Sequence, residues 1–65
     1  MPAEALAMFK RNAELFPKSA NAMFAVGQAA QEAGNLVEAR EFYRKTLAID
    51  PAHSGALGAL ETIKH

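Results

Sequence analysis

Few side chains in this sequence are suited to catalysis or metal binding, and their spacing does not assemble them into a site. Cysteine is absent, so a metal site would have to do without thiolates. The two histidines, His53 and His65, are too few and too far apart to hold a metal ion alone. The serines Ser19 and Ser54 lack the G-x-S-x-G surroundings of a nucleophilic serine. We therefore expect no catalytic and no metal-ligating residue.

Cofactor-binding motifs are also missing from the sequence. It contains no G-x-G-x-x-G or G-x-x-x-x-G-K-[ST] phosphate loop and no H-E-x-x-H pair. An enzyme needs a positioned nucleophile, a base and a group that stabilises developing charge. We expect no enzyme activity and no cofactor, and we interpret His53 as a helix-start residue and His65 as a terminal one.

The balance of basic and acidic residues argues against a nucleic-acid partner. Seven basic and seven acidic residues give a formal net charge of zero, whereas nucleic-acid binding normally depends on an excess of basic residues. No run approaches the ~20 apolar residues that a membrane-spanning helix needs, and no signal-peptide core follows the first residues. The expectation is a protein or peptide partner, with no nucleic acid and no membrane, and a cytoplasmic location by default.

The strongest pattern in the chain is an internal repeat with a stride of 34 residues. This shift preserves chemical class at these pairs: Pro17 and Pro51, Glu4 and Glu38, Ala5 and Ala39, Phe9 and Tyr43, Leu15 and Ile49, Ala22 and Ala56, Val26 and Leu60. Most of these positions lie on apolar stripes at helical spacing. The repeat therefore predicts a stack of helical units.

Prolines and glycines divide the chain into four predicted helices: about Ala3 to Phe16, Ala20 to Ala33, Leu36 to Ile49 and His53 to Lys64. Pro17 ends the first run, because the residue before a proline avoids the α region. Ser19 is the expected N-cap of the second run. Gly34 is expected in the left-handed conformation, and Asn35 with Glu38 resembles a capping box at the start of the third run.

The apolar stripes predict which side chains are buried. They are Ala5, Leu6, Phe9, Ala13 and Phe16 in the first run; Met23, Val26, Gly27 and Ala30 in the second; Val37, Ala39, Tyr43, Thr46 and Leu47 in the third; and Leu57, Leu60 and Ile63 in the fourth. We expect Gly27 to lie against Ala39, where two small residues allow close helix approach.

At these residues the sequence resembles the tetratricopeptide repeat, whose unit is a 34-residue helix–turn–helix. The signature positions fall on Met23, Val26, Gly27, Ala30, Gly34, Leu36, Ala39, Tyr43, Thr46, Ile49 and Pro51. Met23 and Ala30 depart from the tryptophan and tyrosine that the family prefers, and Thr46 replaces a usual alanine. The resemblance implies an all-α, right-handed superhelical stack of about four antiparallel helices in a single domain, 1–65.

The resemblance also implies how the domain is divided and which residues bind. Residues 20–53 would be a full repeat, 3–16 the second helix of a preceding one, and 53–64 the first helix of the next or a capping helix. First helices line the concave groove, which places Asn21, Phe24, Gln28 and Gln31 there as expected peptide-binding residues. Phe24 is the preferred anchor, with the alternative that it packs only against the first helix. The lysine, arginine and asparagine clamp that some members use for C-terminal carboxylates has no counterpart here.

A second expected surface lies on the first predicted helix, which lacks the partner helix of its own unit. A chain of 65 residues without disulfides often depends on association for stability. We expect self-association, as a homo-oligomer, through Leu6, Phe9, Leu15 and Phe16, or docking onto a preceding repeat if the chain is a fragment. The alternative to both binding roles is a purely structural C-terminal cap or appendage of a larger multidomain protein.

Overall fold

The part of the chain that the structure describes folds into four consecutive helices. The computed structural model describes residues 2–63, with side chains described for 4–63. The helices are α1 (Pro2–Leu15), α2 (Ala20–Glu32), α3 (Leu36–Ile49) and α4 (Ser54–Ile63), and no strand occurs within this range. This confirms the predicted all-α class. The bounds of α3 match the prediction, the other helix ends differ by a residue or less within this range, and the predicted ends at Lys64 and His65 lie outside it.

Short turns make successive helices run in opposite directions and pack as neighbours. α2 packs against α1 on one side and α3 on the other, and α4 packs against α3. The α-carbons span 28 × 27 × 14 Å, a flat shape that leaves both broad faces of the stack open. Stacking therefore buries the sides of the helices and leaves extended surfaces for contacts with other molecules.

The turn between α2 and α3 confirms one local prediction and corrects another. Gly34 has φ of +84°, and the amides of Gly34 and Asn35 donate to the carbonyls of Gln31 and Ala30 at 3.1 and 2.8 Å, which is the Schellman pattern. The predicted capping box at Asn35 is wrong, because its side chain forms no cap bond and its amide is already committed to Ala30. Glu38 instead forms an ion pair with Lys10 of α1.

Side-chain caps begin the second and fourth helices. The Ser19 hydroxyl accepts from the Ala22 amide at 3.2 Å, which confirms Ser19 as the N-cap of α2. Before α4, the His53 Nδ1 accepts from the Ala56 amide at 3.1 Å, so His53 is the helix-start residue that was expected. Each cap satisfies an amide that would otherwise lack a partner at a helix end.

The core runs through the middle of the stack and draws on every helix. Its buried members are Leu6, Ala13, Ala22, Met23, Val26, Ala29, Ala30, Ala39, Tyr43, Ala56 and Ile63, with Phe24, Phe42, Leu47, Ala59 and Leu60 partly buried against them. Thr46 is fully buried and its hydroxyl donates to the Phe42 carbonyl at 2.8 Å. That bond explains how a polar residue replaces alanine at this position without leaving an unsatisfied group.

Four residues predicted to be buried are exposed instead: Phe9, Phe16, Val37 and Leu57. The two phenylalanines lie on and just after α1, which packs mainly against α2 and leaves its other side uncovered. Val37 lies in the first turn of α3, and Leu57 lies on α4, the last described helix. Apolar periodicity identifies the apolar stripe of a helix, but it does not predict how much of that stripe a neighbouring helix will cover.

Gly27 lies against Tyr43, a contact that the sequence did not predict. A Cβ built at Gly27 would lie 2.5 Å from Cε1 and 2.6 Å from Cδ1 of Tyr43. The tyrosine ring therefore occupies the space that any other residue at position 27 would need. Ala39 is fully buried, so its predicted burial is confirmed, and its approach to Gly27 stays a prediction.

Candidate protein-binding surface

An open depression lies between α2 and α4, which we call the α2–α4 groove. It has a volume of about 470 Å³ and is lined by Phe24, Gln28, Gln31, Glu32, Tyr43, Gly55 and Ala59. Three of the four residues predicted for peptide binding line it, and Asn21 lies one helical turn before Phe24 on α2. The groove thus combines an aromatic floor, two amides and one carboxylate.

Phe24 forms part of the groove floor and is half-buried. Its ring centroid lies 5.6 Å from that of Tyr43 and 4.7 Å from that of His53, both in tilted arrangements that favour aromatic pairs. A Cβ at Gly55 would lie 2.8 Å from the Phe24 Cζ, so the glycine makes room for the ring. Phe24 therefore packs within the fold and also presents a surface to the groove.

The predicted amides differ in what they do within the fold. Gln31 accepts a 2.7 Å hydrogen bond from the Tyr43 hydroxyl. Asn21 Oδ1 lies 3.4 Å from His53 Nε2, which carries the ring proton because Nδ1 accepts from a backbone amide. Gln28 is exposed and has no hydrogen-bond partner among residues 4–63. Gln28 is thus the groove amide whose hydrogen-bonding groups remain available.

Sequence reasoning missed four residues of the groove: Glu32, Tyr43, Gly55 and Ala59. The repeat stride contains a signal for one of them: Asn21 was predicted for the groove, and the residue 34 positions after it is Gly55. Glu32 follows Gln28 by four residues and so shares its helix face. Tyr43 was predicted only as a core residue; it is 1% exposed and forms the base of the groove, packed against Phe24.

The Tyr43 hydroxyl lies at the base of the groove and is shielded from solvent. Burial, and to a lesser extent the Glu32 carboxylate, raises the pKa of this hydroxyl above its ordinary value. Ionisation of Tyr43 would remove the proton donated to Gln31 and leave a buried charge. A raised pKa in the folded state means that this contribution to stability is complete below about pH 10, the ordinary tyrosine pKa, and is lost as pH rises through the folded value.

We expect the chain to lose stability in alkaline solution above about pH 10 through Tyr43. Tyr43 is the single tyrosine of the chain, so ultraviolet absorbance of tyrosinate reports its titration directly. Tyr43→Phe should cost about 1 kcal/mol at neutral pH through the lost hydrogen bond and should flatten the alkaline decline. A tyrosine that titrates at its ordinary pKa in the folded chain would contradict this prediction.

A second surface consists of exposed apolar side chains on and just after α1, which we call the α1 face. Its members are Met8, Phe9, Leu15 and Phe16, with Met8 72% and Leu15 67% exposed. Leu6 was predicted to belong to this surface, but it is buried in the core. That part of the prediction is corrected, because Leu6 points towards α2 and is not available to another molecule.

Comparison with known proteins identifies the family. The model of the tetratricopeptide repeat matches residues 20–53, more than half of the chain, and this segment contains α2 and α3. The chain belongs to the tetratricopeptide repeat family. It is 42% identical over 64 residues to the human protein "Tetratricopeptide repeat protein 7B", a match that covers 98% of this chain and 8% of that protein. No solved structure matches.

Membership of the tetratricopeptide repeat family confirms the resemblance drawn from the signature positions. The repeats of this family generally mediate contacts between proteins and are not catalytic. Within residues 4–63, no group of three or more potential metal ligands lies together, and none of the described helices is long and apolar enough to span a bilayer. The division into half-repeats around 20–53 stays a prediction.

Proposed function

We propose that this tetratricopeptide repeat chain binds a peptide or a short helix in the α2–α4 groove. The observation that carries the proposal is a half-buried aromatic ring, Phe24, on the floor of an open groove beside an amide, Gln28, with no partner in the fold. A large ring held in place by the fold loses little entropy on binding. Binding energy in protein interfaces concentrates in such anchors.

Two further features support a groove over a flat contact surface. Gly55 makes room for the Phe24 ring itself, and the small side chain of Ala59 keeps the α4 wall low, which leaves room for the side chain or backbone of a ligand. The Gln28 amide offers both a donor and an acceptor, and these match the groups of a peptide backbone. The arrangement therefore suits a ligand that inserts an apolar side chain and hydrogen-bonds along α2.

A selection of random peptides displayed on phage against the immobilised chain tests this proposal. We expect enriched peptides whose affinity falls about two- to tenfold on Gln28→Ala, the effect of one lost hydrogen bond. The matched control is Asn12→Ala, which removes an exposed amide from α1 at the opposite side of the stack. Its affinity for the same peptides should equal that of the original chain.

The same experiment distinguishes the alternatives. Peptides that lose affinity on Asn12→Ala but not on Gln28→Ala would place binding on α1 and reject the groove. Failure to enrich any peptide that depends on either residue would favour the structural cap or appendage. The melting temperature of both variants should stay unchanged, because neither side chain has a partner within residues 4–63.

The α1 face supports a second proposed role, self-association. Exposed apolar patches of this kind usually mark interfaces, and the charges around this one suit a second copy. An antiparallel pair of α1 helices centred between Arg11 and Asn12 would bring Met8 opposite Leu15 of the second copy. The same register would bring Glu4 of one copy towards Lys18 of the second copy, in the turn that follows its α1.

We expect Leu15→Glu to convert an oligomer into a monomer, because it places a carboxylate against the apolar Met8 at both of the equivalent contacts of the pair. Gel filtration with light scattering across a dilution series measures the effect. Val37→Glu is the matched control, since Val37 is 68% exposed and Leu15 67% exposed but Val37 lies on α3. An original chain that stays monomeric at high concentration, or an oligomer that both variants dissociate equally, would reject this role.

A further inference from the structure

We propose that the α2–α4 groove recognises a basic side chain, lysine or arginine, of its bound peptide. This inference rests on the proposed peptide binding and adds the chemical class of the residue that gives specificity. The basic group would lie beside the Glu32 carboxylate, and its aliphatic stem would lie along the exposed side of the Phe24 ring. Three observations support the inference: the negative charge of Glu32, the absence of an ion-pair partner for it among residues 4–63, and the aromatic surface of the groove.

Glu32 is the one charged side chain among the residues that line the groove. It is exposed, and no lysine or arginine among residues 4–63 forms an ion pair with it; Lys10 pairs instead with Glu38, at 2.6 Å. Its position adds to its charge, because Glu32 is the last residue of α2 and helix C-termini carry a partial negative charge. This end of the groove therefore attracts a cation.

The walls of the groove suit the rest of a basic side chain. The half-buried ring of Phe24 presents aromatic surface to the groove that Glu32 also lines, and the buried ring of Tyr43 supports it, with centroids 5.6 Å apart. Cations within about 6 Å of a ring centroid are attracted by its π-electrons. The chain already contains such a pair elsewhere, because Lys45 Nζ lies 4.3 Å from the centroid of Phe42.

The electrostatic effect of Glu32 reaches the groove floor. Burial, and to a lesser extent the Glu32 carboxylate, raises the pKa of the Tyr43 hydroxyl, in keeping with the shared position of both residues on the groove lining. An acidic ligand group placed there would meet the same repulsion as a tyrosinate. The groove should therefore rank peptides in the order basic, then neutral, then acidic at the position that lies beside Glu32.

Resynthesised phage-selected peptides test the inference against Glu32→Gln. We expect a lysine or arginine at a fixed distance from the apolar anchor in the enriched peptides. Replacing that residue with norleucine, or replacing Glu32 with glutamine, should each weaken binding about three- to fivefold, the size for a partly exposed ion pair. The two changes together should weaken it no further than one alone, because both remove the same pair.

Two variants complete the test. Glu41→Gln is the matched control, because Glu41 is also exposed but lies on α3 and does not line the groove. It should leave the affinity unchanged. Glu32→Lys should reverse the preference, so that peptides with glutamate at the critical position bind better than those with lysine.

The outcomes separate this inference from the proposed function. Enriched peptides that depend on Gln28 but contain no fixed basic residue, or that are insensitive to Glu32→Gln, would overturn the inference and leave peptide binding in the groove intact. Equal losses with Glu32→Gln and Glu41→Gln would also overturn it, since they would reflect net charge alone. A library that yields no groove-dependent peptide would reject the proposed function and this inference together.

Discussion

Gly27→Ala is expected to destabilise the chain by about 1 to 2 kcal/mol, although alanine is the better helix former. A Cβ at this position would lie 2.5 Å from Tyr43 Cε1, closer than carbon atoms in proteins approach. The ring has no free space to move into, because Tyr43 is 1% exposed and its hydroxyl is bonded to Gln31. Overpacking with a contact this short lies in the upper part of the usual range, at about 2 to 3 kcal/mol, and the gain in helix propensity, about 1 kcal/mol, offsets only part of it.

Gly58→Ala is the matched control and should have the opposite sign. Gly58 also lies inside a helix, but a Cβ there would meet no atom within 4 Å. The same substitution should therefore stabilise the chain by up to about 1 kcal/mol through helix propensity alone. The contrast separates close packing from propensity, because the chemical change is identical at the two sites.

Urea denaturation followed by circular dichroism measures both variants. A domain of this size is stable by about 3 to 10 kcal/mol, so the loss at Gly27 should lower the midpoint clearly or leave the variant partly unfolded without urea. If Gly27→Ala were as stable as Gly58→Ala, the close contact between α2 and Tyr43 would be wrong. The packing of α3 against α2 would then need a different register.

Local signals in the sequence predicted the helices well because helix ends depend on neighbouring residues. Pro17 and Ser19 mark the turn after α1, and Gly34 adopts the left-handed conformation that its position after α2 requires. The exception is Asn35, whose capping role was lost to the Schellman bond of its own amide. Two local motifs competed for one hydrogen-bond donor, and sequence pattern alone does not rank them.

Contacts between helices were harder to predict because they depend on register across the stack. The stride of 34 residues predicts that α2 and α4 are equivalent helices of successive units, yet it did not reveal that Gly27 faces Tyr43 or that Gly55 makes room for Phe24. Glu32 was missed for the same reason. A carboxylate at the end of a helix looks like an ordinary surface residue until the neighbouring helix creates a groove beside it.

The second large effect is expected for Phe24→Ala, which should reduce both stability and peptide binding. The ring is half-buried against Tyr43, His53 and Gly55. Removing a fully buried phenylalanine costs about 3 to 5 kcal/mol, so removing this one should cost about 2 kcal/mol. If the ring also anchors a ligand, groove-dependent peptides should lose more than tenfold in affinity, as expected for the loss of an aromatic anchor.

Phe42→Ala separates the two roles of Phe24, because Phe42 is also partly buried against the core but does not line the groove. Both variants should lose similar stability in thermal unfolding, whereas only Phe24→Ala should lose peptide affinity when binding is measured at a temperature where both are folded. Equal affinities for the two variants would mean that Phe24 serves the fold alone. Binding energy would then have to come from the Gln28 and Glu32 side of the groove, and the aromatic anchor would be rejected.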